Sequence, residues 1–115
     1  MRSQRPGWGP RGFVLPSADT ISAAASVLDP RTPADERLSL VFAPGDDSYP
    51  LVNYEYAVVS VRQANPESAA ALRRFLLWAV SIEGGNAQQY LGPVGFIPLP
   101  DFIRALSENQ INRLK

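Results

Sequence analysis

Leu51-Val52-Asn53-Tyr54-Glu55-Tyr56-Ala57-Val58-Val59-Ser60-Val61 is the stretch on which the fold class turns. It is rich in β-branched and aromatic residues, the types that favour a pleated strand. Tyr54, Tyr56 and Val58 would share one face, and Ala57, Val59 and Val61 the other. Apolar groups on both faces predict a strand central in its sheet, not an exposed edge. Upstream, Leu38-Ser39-Leu40-Val41-Phe42 has the composition of a second, shorter strand, and Pro44-Gly45-Asp46-Asp47-Ser48 between them is a turn.

Helices are expected on either side. Ser17 offers an N-cap oxygen to a helix whose Ile21, Ala24, Ala25 and Leu28 form a narrow stripe of mostly small residues. Asp29-Pro30 ends it, because the residue before a proline is pushed out of helical geometry. Asn65-Pro66-Glu67 opens the strongest helix, combining a good cap, a proline at the first helical position and an acid at the positive end. Leu72, Phe75, Leu76, Trp78, Ala79 and Ile82 are its expected buried face, with Arg73 and Arg74 pointing away. Gly84-Gly85 ends or bends it. A short helix over 86–91 follows, then a terminal helix opened by Pro100 and carrying Ile103, Leu106, Ile111 and Leu114. The whole reads as α/β, with about three helices, one short helix and two main strands.

Composition removes several function classes. The 115 residues suffice for one small domain, and 45% hydrophobic content is that of a globular chain. Eleven prolines are about twice average usage and fall mostly at element boundaries. A formal net charge of zero gives no electrostatic reason to expect nucleic acid as a partner. With no cysteine and no histidine, thiol nucleophiles, disulfides, imidazole bases and the usual zinc sites are excluded. Residues 1–11 read as a basic, Gly/Pro-rich flexible arm without the apolar core of a signal peptide, so the chain as written is expected to be cytoplasmic. The longest apolar run, Phe75 to Val80, is too short to span a bilayer.

Each chemically suggestive cluster has a structural explanation. Asp46 and Asp47 are adjacent acids, but neighbouring side chains of an extended segment diverge and aspartate is a common turn former. Gly84-Gly85-Asn86 lacks the spacing and Lys-Ser/Thr ending of a phosphate loop, so it reads as a helix break. Tyr49, Tyr54, Tyr56, Trp78 and Tyr90 read as packing groups instead of a stacking platform. Ser17, Ser48 and Ser60 have no activating base. No catalytic, phosphate-binding or metal-binding residue is assigned, no cofactor is implied, and the chain is read as a non-enzyme.

The order of several motifs resembles the C-terminal part of the phosphate-binding proteins that serve bacterial phosphate ABC transporters, within the type II periplasmic-binding-protein family. Gly12-Phe13-Val14-Leu15-Pro16-Ser17 with Ile21-Ser22-Ala23-Ala24-Ala25 is similar to the segment opening the last helix of that family's second lobe. Pro44-Gly45 and Tyr49-Pro50-Leu51 resemble the return crossing to the first lobe. Leu72 to Val80 and Phe96-Ile97-Pro98-Leu99-Pro100 resemble the closing helix and the Pro-Leu-Pro segment. The match runs over residues 12–114.

This resemblance implies an incomplete two-lobe fold, with 12–50 a remnant of the second lobe and its crossing segment and 51–115 the C-terminal part of the first. It implies a fragment of a receptor for inorganic phosphate, in a family that is extracytoplasmic, periplasmic or lipid-anchored. The family's phosphate ligands precede the matched region, so none carries over, and Arg73, Arg74 and Arg104 read as solvated helix faces. The transporter permease, the missing N-terminal part and a second copy of the chain are the partners it brings into view. The alternative is a small non-enzymatic interaction protein using an exposed sheet edge and apolar helices.

Overall fold

The computed structural model of the chain describes residues 13–115; the arm expected over residues 1–11 lies outside them. Four α-helices form: α1 (Ala18–Leu28), α2 (Pro66–Val80), the single-turn α3 (Gln88–Leu91) and α4 (Asp101–Ile111). Short 3-10 turns extend α1 over Asp29–Arg31 and α3 over Gly92–Val94. The described residues divide into two compact units, one of residues 13–33 and 37–55, the other of 34–36 and 56–115.

Local signals start the helices where the sequence placed them. Ser17 Oγ accepts from the Thr20 amide at 3.1 Å, and the Ser17 amide donates to Thr20 Oγ1 at 2.9 Å. This reciprocal capping box satisfies two donors at the exposed start of α1. Asn65 Oδ1 does the same for α2, accepting from the Ser68 amide at 2.8 Å. Pro100 caps α4 without a side-chain bond. Helix α2 ends at Val80, with Ser81 as its C-cap, a few residues before the glycines expected to stop it.

The α/β expectation is overturned, since no strand forms among the described residues. A strand satisfies its backbone only through a neighbour, and neither β-like segment finds one here. In 38–42 the groups are taken by side chains and a turn. The Leu40 amide donates to Asn53 Oδ1 at 3.1 Å and the Val41 amide to Ser39 Oγ at 3.2 Å. Phe42, at φ 56, donates to the Pro50 carbonyl at 2.8 Å. In 51–61 the valines lie outside instead of in a sheet, with Val58 94% exposed. Lys115 brackets Arg62 in the manner of a strand neighbour, donating to the Val61 carbonyl at 2.9 Å and accepting from the Gln63 amide at 2.7 Å. That single pair does not propagate.

The first unit buries Ala24, Leu40 and Ala43, together with Thr32 and Ser48. The narrow stripe of α1 therefore contributes one alanine to a small core. In the second unit α2 packs against α4, burying Ala69, Ile103, Ile111 and Leu114. The expected buried face of α2 is split by this arrangement. Leu72, Leu76 and Ala79 are half-buried, whereas Phe75, Trp78 and Ile82 are exposed. Phe75 and Trp78 stack on each other with centroids 6.3 Å apart. Because α2 is apolar around most of its circumference, one packed neighbour cannot cover it.

Asn86, buried behind the α2 terminus, accepts from the Leu99 amide at 2.7 Å and donates to the Leu99 carbonyl at 3.2 Å. It thereby holds Pro98-Leu99-Pro100 as a neighbouring strand would. Asn86→Ala removes both bonds and leaves the amide and carbonyl of half-buried Leu99 without these partners. A loss of roughly 1–3 kcal/mol is expected in urea unfolding followed by circular dichroism. An unchanged midpoint would show that the two bonds do not carry this junction.

Candidate functional site

The candidate site in the first unit is an open cleft of about 400 Å³ at the start of α1, lined by Phe13, Val14, Leu15, Ser17, Thr20, Asp46 and Asp47. Its floor is a helix N-terminus, and its acidic wall is the 44–48 turn. Gly45, at φ 110, supplies the left-handed residue the turn requires. Ser48, buried beneath it, donates its hydroxyl to the Pro44 carbonyl at 2.7 Å and its amide to the Gly45 carbonyl at 3.3 Å. The turn is therefore fixed by Ser48, and Asp46 and Asp47 are exposed on its outer side.

Helix N-termini attract anions through unsatisfied amides and the helix dipole. Here some of those groups are occupied. The Ser17 and Thr20 amides serve the capping box, the Ile21 amide donates to the Ser17 carbonyl at 2.9 Å, and Thr20 Oγ1 donates to the Leu15 carbonyl at 2.6 Å. Two carboxylates on the same wall oppose a phosphate further. Among the described residues, none that lines the cleft carries a positive charge with which to hold an oxyanion.

The other clusters are structural too. The Gly84, Gly85, Asn86 and Ala87 amides donate to the Ser81, Trp78, Ser81 and Gly84 carbonyls at 3.0–3.1 Å, so the segment closes on itself and cradles nothing. A Cβ on Gly84 would lie 2.6 Å from the Trp78 carbonyl oxygen, so this glycine is required for the close turn. The aromatics form no platform. The Tyr54 hydroxyl donates to the Asp29 carboxylate, and that of Tyr56 to the Glu36 carbonyl at 2.9 Å. Tyr90 is exposed. The hydroxyls of Ser48 and Ser60 both donate to backbone carbonyls, Ser60 to Arg62 at 2.9 Å. Among the described residues no group of three acidic, His or Cys side chains could hold a metal ion. No described helix is long and apolar enough to cross a membrane.

Two arginines read as solvated prove to be fastened. Arg73 is half-buried and donates to the Leu114 carbonyl at 2.5 Å, tying α2 to the end of the chain. Arg104 bridges Asp101 at 3.2 Å and Glu108 at 2.8 Å along α4. Its hydrogen bonds to those two carboxylates, Asp101 first, hold the guanidinium protonated beyond its ordinary range. Arg74 alone of the three is exposed. Sequence reasoning also passed over Glu36, whose carboxylate accepts from Ser107 Oγ and Gln110 Nε2, both at 2.6 Å. Asn86 had left a signal. Between Pro98 and Pro100, neither of which has an amide hydrogen, Leu99 holds the one donor of the segment and needs an acceptor.

Comparison with known proteins gives a distant relationship. The chain is 29% identical over 113 residues to the phosphate-binding protein PstS of Methanocaldococcus jannaschii, covering 90% of this chain and 28% of that protein. The chain thus spans little more than a quarter of the length of the relative it matches. No family model matches it. The relationship is distant, and the relative is by its name a binding protein.

The arrangement of the acidic turn generates a direct expectation. Asp46→Ala and Asp47→Ala should leave the purified chain as inactive toward phosphate esters as it is unaltered, in a colorimetric phosphate-release assay. Turnover by the unaltered chain that either substitution abolished would establish a catalytic role for the pair.

Proposed function

We propose that this chain is part of a substrate-binding protein for inorganic phosphate in ABC-transporter-mediated uptake, and that it supplies scaffold to such a receptor instead of phosphate ligands. The observation carrying this reading is the alignment with PstS over nearly the whole chain at 29% identity. The geometry is consistent with the division of labour. Tight capture of a dehydrated phosphate needs several donors converging on one point to offset the lost hydration. Among the described residues the Thr20 and Ile21 amides at the start of α1, the amides of residues 84–87 after α2, and nitrogens of Arg73 and Arg104 are bound within the chain.

On this reading residues 12–50 belong to the second lobe and 51–115 to the first, and the chain is a C-terminal portion acting with the rest of the receptor and its transporter permease outside the cytoplasm. It performs no catalysis of its own.

A chimera tests this directly. Replacing the matched segment, 28% of the Methanocaldococcus jannaschii PstS, with this chain should leave a folded protein that binds phosphate by calorimetry. The chain alone should show no binding tighter than about 1 mM, where association supplies only about 4 kcal/mol. A folded chimera that has lost phosphate binding, or tight phosphate binding by the chain alone, would overturn the assignment.

A further inference from the structure

We propose that Glu36 is a strained latch: its carboxylate holds the turn of residues 34–36 against α4, and the turn leaves α4 once that hold is lost. The device lies wholly within the second unit and does not depend on the receptor reading.

Glu36 has φ 61, in the left-handed region that few residues with a side chain adopt. It follows directly on the turn at Ala34 and Asp35, a place where glycine is common because it takes this conformation without strain. Glutamate there carries a backbone cost that glycine would avoid. Such a residue persists only where its surroundings over-determine it.

The surroundings of Glu36 do so through three hydrogen bonds. Ser107 Oγ donates to one carboxylate oxygen and Gln110 Nε2 to the other, both at 2.6 Å. Ser107 and Gln110 stand three residues apart on α4 and so share a face of that helix. The Tyr56 hydroxyl donates to the Glu36 carbonyl at 2.9 Å. Side chain and backbone of one residue are thus gripped together, and bonds that end on a carboxylate are among the stronger ones.

Apolar burial adds little to this grip. Ala34 and Asp35 are exposed and Glu36 is half-buried. Residues 34–36 nevertheless group with the helices of the second unit, whereas residues 33 and 37 group with the first. Three residues are therefore attached to α4 mainly by polar contacts at the surface, and such contacts open locally far more readily than a packed core does. Loss of the bonds and relaxation of the φ angle reinforce each other. While Ser107 and Gln110 hold the carboxylate, they offset the strain; without them, the strain favours departure of the turn.

Pulsed electron paramagnetic resonance on the full chain tests the latch. The chain has no cysteine, so Ala34→Cys and Ala71→Cys, both at exposed positions, take one nitroxide label each. Ala71 lies on α2, which packs on α4 and serves as the fixed reference. A single narrow distance distribution is expected. In that background Glu36→Ala should add a longer and broader component, raising the separated population roughly tenfold or more. Ser107→Ala combined with Gln110→Ala should do the same without altering the turn itself. Glu36→Gln should stay close to the unaltered chain. Its amide keeps an acceptor for one donor, and the Ser107 hydroxyl or the Gln110 amide can rotate to accept from its NH2 group. Far-UV circular dichroism should retain the helix signal in every variant.

A distribution already broad before Glu36 is changed overturns the latch. So does one that either Glu36→Ala or the pair of α4 substitutions leaves unaltered. Broadening accompanied by loss of the helix signal in both sets of variants would overturn it too, since Glu36 would then support the whole second unit and not one turn.

Discussion

An α-helix closes its hydrogen bonds between residues four apart, whereas a β-strand must obtain its bonds from a neighbour. Most of what this chain does and fails to do follows from that difference. Each helix announced by a local signal is present: Ser17 and Thr20 cap α1, Asn65 caps α2 and Pro100 precedes α4. Neither strand is. Where β-like residues do find backbone partners, side chains and turns provide them, as Asn53 does for Leu40 and Ser39 for Val41.

The same constraint governs the packing. Cores built without a sheet have only helices and turns to bury, and the buried hydrophobic residues run to Ala24, Ala43 and Ala69 beside Leu40, Ile103, Ile111 and Leu114. The larger groups stay outside: Phe75, Trp78 and Ile82 on α2, and Val58 in the β-like segment. An apolar helix and a segment apolar on both faces are the components of a layered α/β structure, in which each covers the other and a third layer covers both. The polar ties make up part of the deficit. Arg73 reaches the Leu114 carbonyl, Asn86 clasps Leu99, and Glu36 gathers Ser107 and Gln110.

What could be read from the residues divides along the same line. Caps, proline starts, the Gly45 turn and the closure at Gly84 and Gly85 depend on neighbours within a few positions, and these were legible. So was the turn that carries Asp46 and Asp47, because turn chemistry is local. The strands were misread because alternation and β-branching describe a residue's fitness for a sheet, not the presence of one. Trp78 was misplaced for a related reason. Periodicity identifies the apolar side of α2 without saying how much of it α4 will cover. Arg73 looked solvated because a charged residue on a helix usually is, and its acceptor, the Leu114 carbonyl, emerges only from the folded arrangement; the Arg104 partners Asp101 and Glu108, three and four residues away on one helix, were open to a reading of spacing that was not made.

Similarity to a phosphate-binding protein does not by itself place a phosphate ligand in this chain. Anion recognition depends on a handful of donors kept free of internal partners, and such freedom is costly unless the ligand repays it. A segment without that duty is under no pressure to leave donors open. This chain shows the result: the amides at the start of α1 close a capping box, those after α2 close a turn, and Arg104 is neutralised by its own helix. The large apolar groups Val58, Phe75 and Trp78 stay exposed, and apolar surface is covered by polypeptide and not by a hydrated anion.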